Sequence, residues 1–289
     1  MAIRVAYSGI QWGDVLVRDG HFTVPRPFVP GFEASGHIVA VGEGVDGSRV
    51  GEPVTALTSA GAHAEVVLAP AVFTLSVGDL DLRVAGGFGW VTPTAYDLIN
   101  TVARVRPGEN VLIHAAAGGV GTLAAQFATL AGAGRIVGVV GNAAQIDYAT
   151  QFGYHRVLVR EEFPATLGDE RFDVILDPIG GPTREANLRQ LAPHGRLGVY
   201  GNISSFEPVL ASTNDLLMEG KSIVTYNSNL LSQTHPNRLA DSAHRALEHL
   251  ASGRVGVDIT AEYTLADLAT AVQRLADGAT HGKSILSVA

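Results

Sequence analysis

The sequence predicts an α/β protein in which a unit of short strands precedes a doubly wound parallel sheet. Residues 1 to about 90 are rich in glycine, proline and valine and contain short apolar runs, as in β-rich units. From residue 110 onwards, apolar runs alternate with helical patterns, which is typical of βαβ units. A stretch of small residues, His114–Gln126, joins the first of these runs to the first helix. These three observations give the fold class.

The β-rich unit has clear strand patterns at Gly36–Gly42 and His63–Leu68. After it, the dipeptide Thr92-Pro93 predicts the start of a helix, with Thr92 as N-cap and Pro93 at the first helical position. Proline is favourable there because the first turn of a helix leaves its N–H groups unpaired anyway.

The alternating region has apolar runs of strand length with helical patterns between most of them. The predicted strands are Asn110–Ala115, Arg135–Val140, Arg156–Arg160, Phe172–Ile179, Gly195–Gly201 and Ser222–Asn227, and the predicted helices span 118–132, 143–152 and 182–192. In the tail we expect two amphipathic helices, Arg238–Ala251 and Leu265–Asp277, and a closing strand, Lys283–Val288. If the tail packs on the first unit, the alternating region is an insertion.

Composition narrows the possible functions of this 289-residue chain. Its net charge of −8 and its only two lysines leave no basic run that could displace counterions from nucleic acid. The absence of cysteine excludes disulfides, thiolate catalysis and cysteine-based zinc sites. The uncharged run Val111–Gly134 is long enough for a membrane span, but its many glycines and alanines indicate a strand, a turn and a buried helix. The first residues do not have the pattern of a secretory signal, so we expect a cytoplasmic protein without membrane or nucleic-acid partners.

The small-residue stretch contains an incomplete GxGxxG pattern, with Ala116 in the position of the first glycine. The pattern follows a predicted strand and opens a helix, which is the context of a dinucleotide site with the pyrophosphate on the helix N-terminus. We therefore expect a site formed by Ala116, Gly118, Gly119, Val120 and Gly121. The alternative is a tight turn without a ligand.

The type of dinucleotide is decided near the end of the second strand of the alternating region. NAD-binding proteins place a carboxylate there for the ribose 2′-hydroxyl. Here the strand ends at Asn142, and no carboxylate follows before Asp147. This pattern favours NADP(H), with Asn142 and Gln145 as candidate polar partners of the 2′-phosphate and with Arg156 and Arg160 on the next strand as possible sources of positive charge. Ordinary surface charge is the alternative role of these two arginines.

Several segments resemble the zinc-free medium-chain dehydrogenase/reductase superfamily, in particular quinone oxidoreductases of the zeta-crystallin type and enoyl reductase domains of polyketide synthases. The segments that carry the resemblance are Pro30–Gly36, Ala40–Val45, Arg106–Gly121, Asp173–Gly181, Tyr200–Ser204 and Gly282–Leu286. The resemblance implies a GroES-like partial β-barrel domain (1–92), an inserted Rossmann domain (93–229) and a C-terminal return (230–289). It also implies a nicotinamide in the cleft between the domains, a small-molecule substrate, and a homodimer that pairs the last Rossmann strand, Ser222–Asn227.

The resemblance also suggests residue roles. Thr94 corresponds to a threonine at the nicotinamide end, and Gly201, Asn202 and Lys283 extend the cofactor site. The family's Asn-x-x-Asp pattern becomes Gln11-Trp-Gly-Asp14, so Gln11 is expected to donate a hydrogen bond to a developing enolate oxygen. Asp14 is expected to orient its neighbours rather than transfer protons.

Three departures from the family pattern affect the prediction. Phe32 replaces the histidine of zinc-dependent relatives, so we expect no metal. The usual Ser-x-x-Lys is replaced by Asn142-Ala-Ala-Gln145, which keeps polar contacts but loses the cation, so affinity for the 2′-phosphate is either weak or depends on Arg160. An opening hairpin should precede the segment that begins at Ile3; either the true start lies upstream, or the hairpin has been lost.

Two functions remain open from the sequence. The first is an NADPH-dependent reductase that transfers hydride to the β-carbon of a conjugated carbonyl, in a quinone or an enone. The second keeps the same fold without redox turnover, as a cyclase, an isomerase or a dinucleotide-binding regulator.

Overall fold

The structure, a computed structural model, describes residues 1–288. The chain forms two compact units: Met1–Pro93 together with the residues from Ser228 onwards, and Thr94–Asn227. The ends of these units differ by one or two residues from the expected ranges 1–92, 93–229 and 230–289. The alternating region is thus inserted in the sequence of the β-rich unit.

Secondary structure follows the chain in three stretches. The first contains β1 (Ala2–Ile10), α1 (Trp12–Arg18), β2 (Glu33–Ala40), β3 (Pro53–Leu57), β4 (Val66–Leu68), β5 (Thr74–Ser76), α2 (Leu82–Gly86) and α3 (Val91–Asp97). The second contains β6 (Asn110–His114), α4 (Gly119–Leu130), β7 (Arg135–Val140), α5 (Ile146–Thr150), β8 (Arg156–Val159), β9 (Phe172–Asp177), α6 (Gly181–Gln190), β10 (Leu191–Val199), α7 (Thr213–Glu219) and β11 (Ser222–Thr225). The third contains α8 (Ser228–Thr234), α9 (Pro236–Ala251), β12 (Ile259–Thr264), α10 (Leu268–Ala276) and β13 (Lys283–Ser287).

The first unit is built on a seven-stranded sheet with the order β12-β13-β1-β2-β3-β5, in which β4 also pairs with β1. The closing strand β13 is antiparallel to β1, with Gly9 opposite Ile285. Tail residues therefore complete the sheet of the first residues, as the sequence suggested. Alternate side chains of β1 and β2, among them Ile3, Val5 and Ile38, are fully or almost fully buried in its core.

The second unit is a six-stranded, entirely parallel sheet with the order β11-β10-β9-β6-β7-β8. The strands β6, β7 and β9 are buried along almost their whole length, because helices cover both faces of such sheets. This arrangement confirms the predicted doubly wound Rossmann fold.

Some local predictions were wrong. Thr92 is not an N-cap, because α3 already begins at Val91 and places Thr92 inside the helix. The predicted helix 143–152 is a 3-10 turn, Ala143–Gln145, followed by the short α5.

The predicted strand Gly195–Gly201 begins at Leu191, where pairing with β9 extends it past an irregularity before Arg196. This boundary is set by pairing with a distant strand, so it cannot be predicted from the local sequence of β10.

No helix within residues 1–288 is both long and apolar enough to span a membrane. The longest, α9, has 16 residues and one buried face.

Candidate functional site

The glycine turn connects β6 to α4 at the carboxyl edge of the parallel sheet. Ala115, directly after β6, has a positive φ of 53°, and Gly118 precedes the first residue of α4. A Cβ built on Gly121 would lie 2.8 Å from Ala116 Cα and closer still to the Ala115 carbonyl oxygen. Only glycine therefore lets α4 approach the end of β6 this closely.

The N-terminus of α4 has the features of an anion site. The helix is 12 residues long, and no side chain caps its first turn, since the N-cap residue is Gly118. Its first N–H groups and its dipole are therefore available to a phosphate. The Tyr154 hydroxyl donates to the Gly121 carbonyl in the first turn of α4 (2.8 Å). Burial raises the pKa of Tyr154 well above its usual value, which keeps this donor protonated.

The turn lies at the switch point of the sheet. Strands β6 and β9 are neighbours, but the chain continues from β6 to β7 on one side and from β9 to β10 on the other. Ligands of open α/β sheets bind outside the carboxyl ends of the strands at such a point. The loops after β6 and β9 therefore flank the expected cofactor position.

At the end of β9, the fully buried Asp177 holds the second of these loops. Its carboxylate accepts hydrogen bonds from the backbone N–H groups of Ile179 (2.6 Å) and Gly180 (3.2 Å). Its other oxygen accepts from Nε of Arg184 at 2.8 Å, and the remaining guanidinium nitrogens reach the loop after β10. That loop contains Gly201 and Asn202, two residues predicted for the cofactor site.

His114 ends β6 and is fixed by α6. Its Nε2 lies 2.7 Å from Oδ1 of Asn187, so this nitrogen carries the proton and donates. Burial lowers the pKa of His114, although the Asn187 hydrogen bond and Asp177 act in the opposite direction. The neutral imidazole therefore ties β6 to α6 beside the glycine turn.

The residues predicted to hold a 2′-phosphate lie after β7. The Gly141 N–H donates to Oε1 of Gln145 (3.0 Å), and a Cβ on Gly141 would lie 3.2 Å from Nη2 of Arg160. Gln145 and the exposed Arg160 are thus brought together beside Gly141, and Asn142 is exposed next to it. Thr94 is buried in α3, and no described contact joins it to the glycine turn.

In the first unit, the carboxylate of Asp14, at the start of α1, contacts three other residues. Its Oδ2 accepts from the backbone N–H of Gln11 (2.9 Å), and its Oδ1 accepts from Gly31 N–H (3.2 Å) and lies 3.2 Å from Nε2 of His63. The carboxylate is buried, which matches an orienting role better than proton exchange with solvent. Gln11, one turn before it, is half-buried.

A Ser8–His63–Asp14 array therefore exists, with Ser8 Oγ 2.8 Å from His63 Nδ1. All three side chains are buried, and the Ser8 hydroxyl donates to the carbonyl of Glu33 (2.9 Å). A hydroxyl that is enclosed and already donating cannot attack a substrate, so the array supports the sheet rather than nucleophilic chemistry.

Lys283, predicted to contact the cofactor, is almost fully buried in the first unit. Its ammonium forms an ion pair with the fully buried Glu33 and donates to the Ile10 carbonyl at 3.0 Å. The Glu33 carboxylate also accepts from the Trp90 backbone N–H (2.6 Å). These contacts give Lys283 a structural role in the first unit.

Sequence reasoning missed Asp177 and Arg184 as site residues. Asp177 stands in the motif Asp-Pro-Ile-Gly-Gly directly after an apolar strand, which is a usable signal for a loop-holding carboxylate. An arginine within a helix gives no such signal, since most helical arginines are solvated. No group of three or more metal-ligating side chains occurs within residues 1–288.

Two family models match the chain. The alcohol dehydrogenase GroES-like domain matches residues 1–79, and the zinc-binding dehydrogenase domain matches residues 119–242. A quinone oxidoreductase of Salmonella typhimurium is 30% identical over 292 residues, covering 96% of this chain and 88% of the relative. The chain belongs to the medium-chain dehydrogenase/reductase superfamily. The resemblance found in the sequence is thereby confirmed.

Other curated relatives are longer than this chain. It spans 64% of a Schizosaccharomyces pombe relative at 31% identity. It spans 13% of a phenolphthiocerol/phthiocerol polyketide synthase subunit of Mycobacterium tuberculosis, also at 31% identity, with 99% of this chain aligned. The chain is therefore similar both to a probable quinone oxidoreductase and to part of a polyketide synthase.

Solved structures of this superfamily have the same fold. A mycobacterial protein complexed with NADPH superposes with a TM-score of 0.90 at 29% identity, covering 99% of this chain and 90% of that chain. Escherichia coli quinone oxidoreductase complexed with NADPH has a TM-score of 0.88 at 27% identity, with the same coverage. The GroES-like and Rossmann architecture predicted from the sequence is confirmed.

Proposed function

We propose that the protein is an NADP(H)-dependent, zinc-independent oxidoreductase that reduces a conjugated carbonyl of a small molecule. The observation that carries the proposal is the glycine turn at the switch point, where Gly121 packs α4 against the end of β6 and leaves the helix N-terminus uncapped. This is a cradle that a dinucleotide pyrophosphate fits.

The cofactor assignment has support from the fit of the site and from relatives. Gly118 to Gly121 would hold the pyrophosphate, and Gln145 and Arg160 beside Gly141 supply a donor and a positive charge for a 2′-phosphate. Two structural neighbours are NADPH complexes. When bound, NADPH supplies the hydride; the residues of the chain bind and orient the reactants.

Arg160 is proposed to produce the preference for NADPH over NADH. Calorimetry with both cofactors should show tighter binding of NADPH, and Arg160→Ala should narrow the difference. Arg171→Ala is the matched control, because this exposed arginine precedes β9 at the opposite edge of the sheet. Equal affinities for both cofactors in the unmodified protein would refute the preference.

Substrate activation is proposed to involve Gln11, which occupies the position of the family's asparagine. Its amide would donate to the carbonyl oxygen as negative charge develops during hydride addition at the β-carbon, which stabilises the enolate-like transition state. Asp14 would act through position, since its carboxylate fixes the Gln11 backbone and the Gly31 loop.

The test is NADPH oxidation with a panel of quinones, enones and enoyl thioesters. We expect activity in at least one class, and Gln11→Ala should lower it by about 10²–10³-fold. Gln11→Asn retains the donor on a shorter side chain and should restore part of the loss. Activity unaffected by Gln11→Ala would remove this residue from the mechanism.

The same substrate panel also distinguishes the proposed reductase from a non-redox protein with the same fold. Tight NADPH binding without turnover of any substrate class would favour a non-redox cyclase, an isomerase or a dinucleotide-binding regulator. The change from the family's asparagine to Gln11 is the observation that keeps this alternative open.

The proposal also includes a homodimer and a cytoplasmic location. Its last part is that the activity does not depend on zinc. Phe32 has no lone pair for a metal, and the chain has no cysteine. We expect no zinc after chelator washing and unchanged NADPH oxidation. Stoichiometric zinc in elemental analysis would contradict this part of the proposal.

A further inference from the structure

The guanidinium of Arg184, on α6, connects the ends of two neighbouring strands. Its Nε donates to Asp177 at the end of β9, its Nη2 donates to the Gly201 carbonyl (2.7 Å) and its Nη1 donates to Oδ1 of Asn202 (3.0 Å). The side chain is 15% exposed, so these charge-assisted bonds are largely shielded from water. All three nitrogens are therefore engaged at the carboxyl edge of the sheet.

This contact fixes the orientation of the Asn202 amide. A guanidinium has donors only, so the Asn202 atom that faces it must be the carbonyl oxygen. The amide nitrogen, with its two donors, is then turned away from Arg184. Within residues 1–288 this nitrogen makes no hydrogen bond to another residue.

The path of the loop depends on other bonds. Ile203 N–H donates to the Pro178 carbonyl (2.7 Å), and Tyr200 N–H donates to the Asp177 carbonyl (3.1 Å). These backbone hydrogen bonds attach the loop after β10 to the loop after β9 without Arg184. What Arg184 adds is the direction in which the Asn202 side chain presents its donors.

We infer that Arg184 is a positioning residue of the cofactor site, and that through it Asn202 presents N–H donors to an acceptor oxygen of the dinucleotide. The inference rests on the proposed NADP(H) function. Phosphate oxygens only accept hydrogen bonds, and ribose and carboxamide oxygens can accept them, so an amide that presents its N–H donors can bind any of these groups.

The decisive variant is Asn202→Asp, which keeps an acceptor for Arg184 but replaces the two donors with a carboxylate oxygen. NADPH titrations by calorimetry on the full chain should show a loss of affinity of about tenfold or more, because the donors are lost and the carboxylate adds a negative charge beside an anionic cofactor. The melting temperature should change little, because the Arg184 contact is retained. Unchanged NADPH affinity in this variant would overturn the inference.

Arg184→Lys tests whether Arg184 acts through Asn202. Lysine can pair with Asp177 but lacks the fork that reaches Gly201 and Asn202, so NADPH affinity should fall several-fold. The matched control is Arg189→Lys, an exposed arginine of the same helix, which should bind NADPH like the wild type.

A double-mutant cycle completes the test. In the Asn202→Ala background, Arg184→Lys should have little further effect on NADPH affinity, because the amide that it orients is gone. An equally large effect in both backgrounds would assign Arg184 a merely structural role and overturn the inference. If Arg184→Lys does not fold, Asn202→Asp and Asn202→Ala still test the contact between the Asn202 amide and the dinucleotide, and unchanged NADPH affinity in either variant overturns the inference. A wild type that binds no NADPH would overturn the proposed function, and this inference with it.

Discussion

A buried ion pair in the first unit joins strands that are far apart in the sequence. Lys283 and Glu33 are both buried, and their ion pair joins the last strand β13 to β2. Such a pair contributes little compared with well-packed apolar residues, but removal of one partner leaves a buried charge without compensation.

We therefore expect Lys283→Met to lower the free energy of unfolding by about 3–5 kcal/mol in urea denaturation. Arg83→Met is the control, because the Arg83–Glu262 pair is more than a third exposed on both sides and should contribute about 1 kcal/mol or less. Equal effects of the two variants would show that Lys283 is not a structural ion-pair partner. A loss of NADPH affinity beyond the loss of stability would restore its predicted cofactor role.

His114 is expected to make the stability of the protein depend on pH. Burial lowers the pKa of His114 below its ordinary value of 6.5, so the unfolded chain takes up a proton that the folded chain resists. Stability is then present above about pH 6.5 and is lost as the pH falls below it, by up to about 1.4 kcal/mol per pH unit.

Urea unfolding at pH 7.5, 6.5 and 5.5 should show this decrease, and His114→Gln should flatten it. His249, whose pKa is also lowered by burial, would leave a residual slope. His37→Gln, a change of an exposed histidine, should leave the profile as it is. A profile that His114→Gln does not alter would exclude His114 as the titrating group.

At the scale of elements, the contact between β6 and α4 distinguishes Gly121, which has no space for a side chain, from Gly118, which has room for a methyl group. Gly121 has no space for a Cβ against the backbone of Ala115 and Ala116, whereas a Cβ on Gly118 would meet only the Ala115 carbonyl oxygen at 3.3 Å. The backbone of Gly118, with φ −84° and ψ 170°, is accessible to alanine.

Gly121→Ala should therefore destabilise the protein by about 1–3 kcal/mol, because the helix must move away from the strand. Gly118→Ala should cost about 1 kcal/mol or less. Its new methyl group should instead weaken NADPH binding if Gly118 faces the pyrophosphate. Thermal unfolding measures the stability of both variants, and calorimetry measures their NADPH affinity. A stable Gly121→Ala that loses NADPH affinity, together with a destabilised Gly118→Ala that binds normally, would exchange the two roles.

At the scale of the whole molecule, the last Rossmann strand is the proposed site of a homodimer interface. Strand β11 is the end strand of its sheet, so its outer edge pairs with no other strand within residues 1–288. Ile223 on this strand and Leu217 and Met218 on α7 are exposed, the last two by 76% and 84%. An apolar edge of this kind is a site for strand pairing with a second copy.

We expect the protein to be a dimer in light scattering coupled to size exclusion, and Ile223→Lys to shift it to a monomer. Val66→Lys is the control, since this exposed valine lies on the short strand β4 of the other unit. A monomeric wild type, or a dimer that Ile223→Lys leaves intact, would refute an interface at β11.

The sequence by itself determined the alternation of strands and helices and the glycine turn. These features are local: periodicity, small residues and the strand–turn–helix order are written within about 20 consecutive residues. The exact starts of α3 and β10 are not local features, because packing and pairing with distant residues set them, and the sequence did not predict them.

Only the tertiary structure decided the partners of charged residues. Lys283 and Glu33 are 250 positions apart in the sequence, and their pairing follows from the return of the chain to β1. Arg184 has the local pattern of a surface arginine, yet folding places it against Asp177, Gly201 and Asn202. A charge acquires its role from the groups that surround it once water is removed, and those groups come together only when the chain folds.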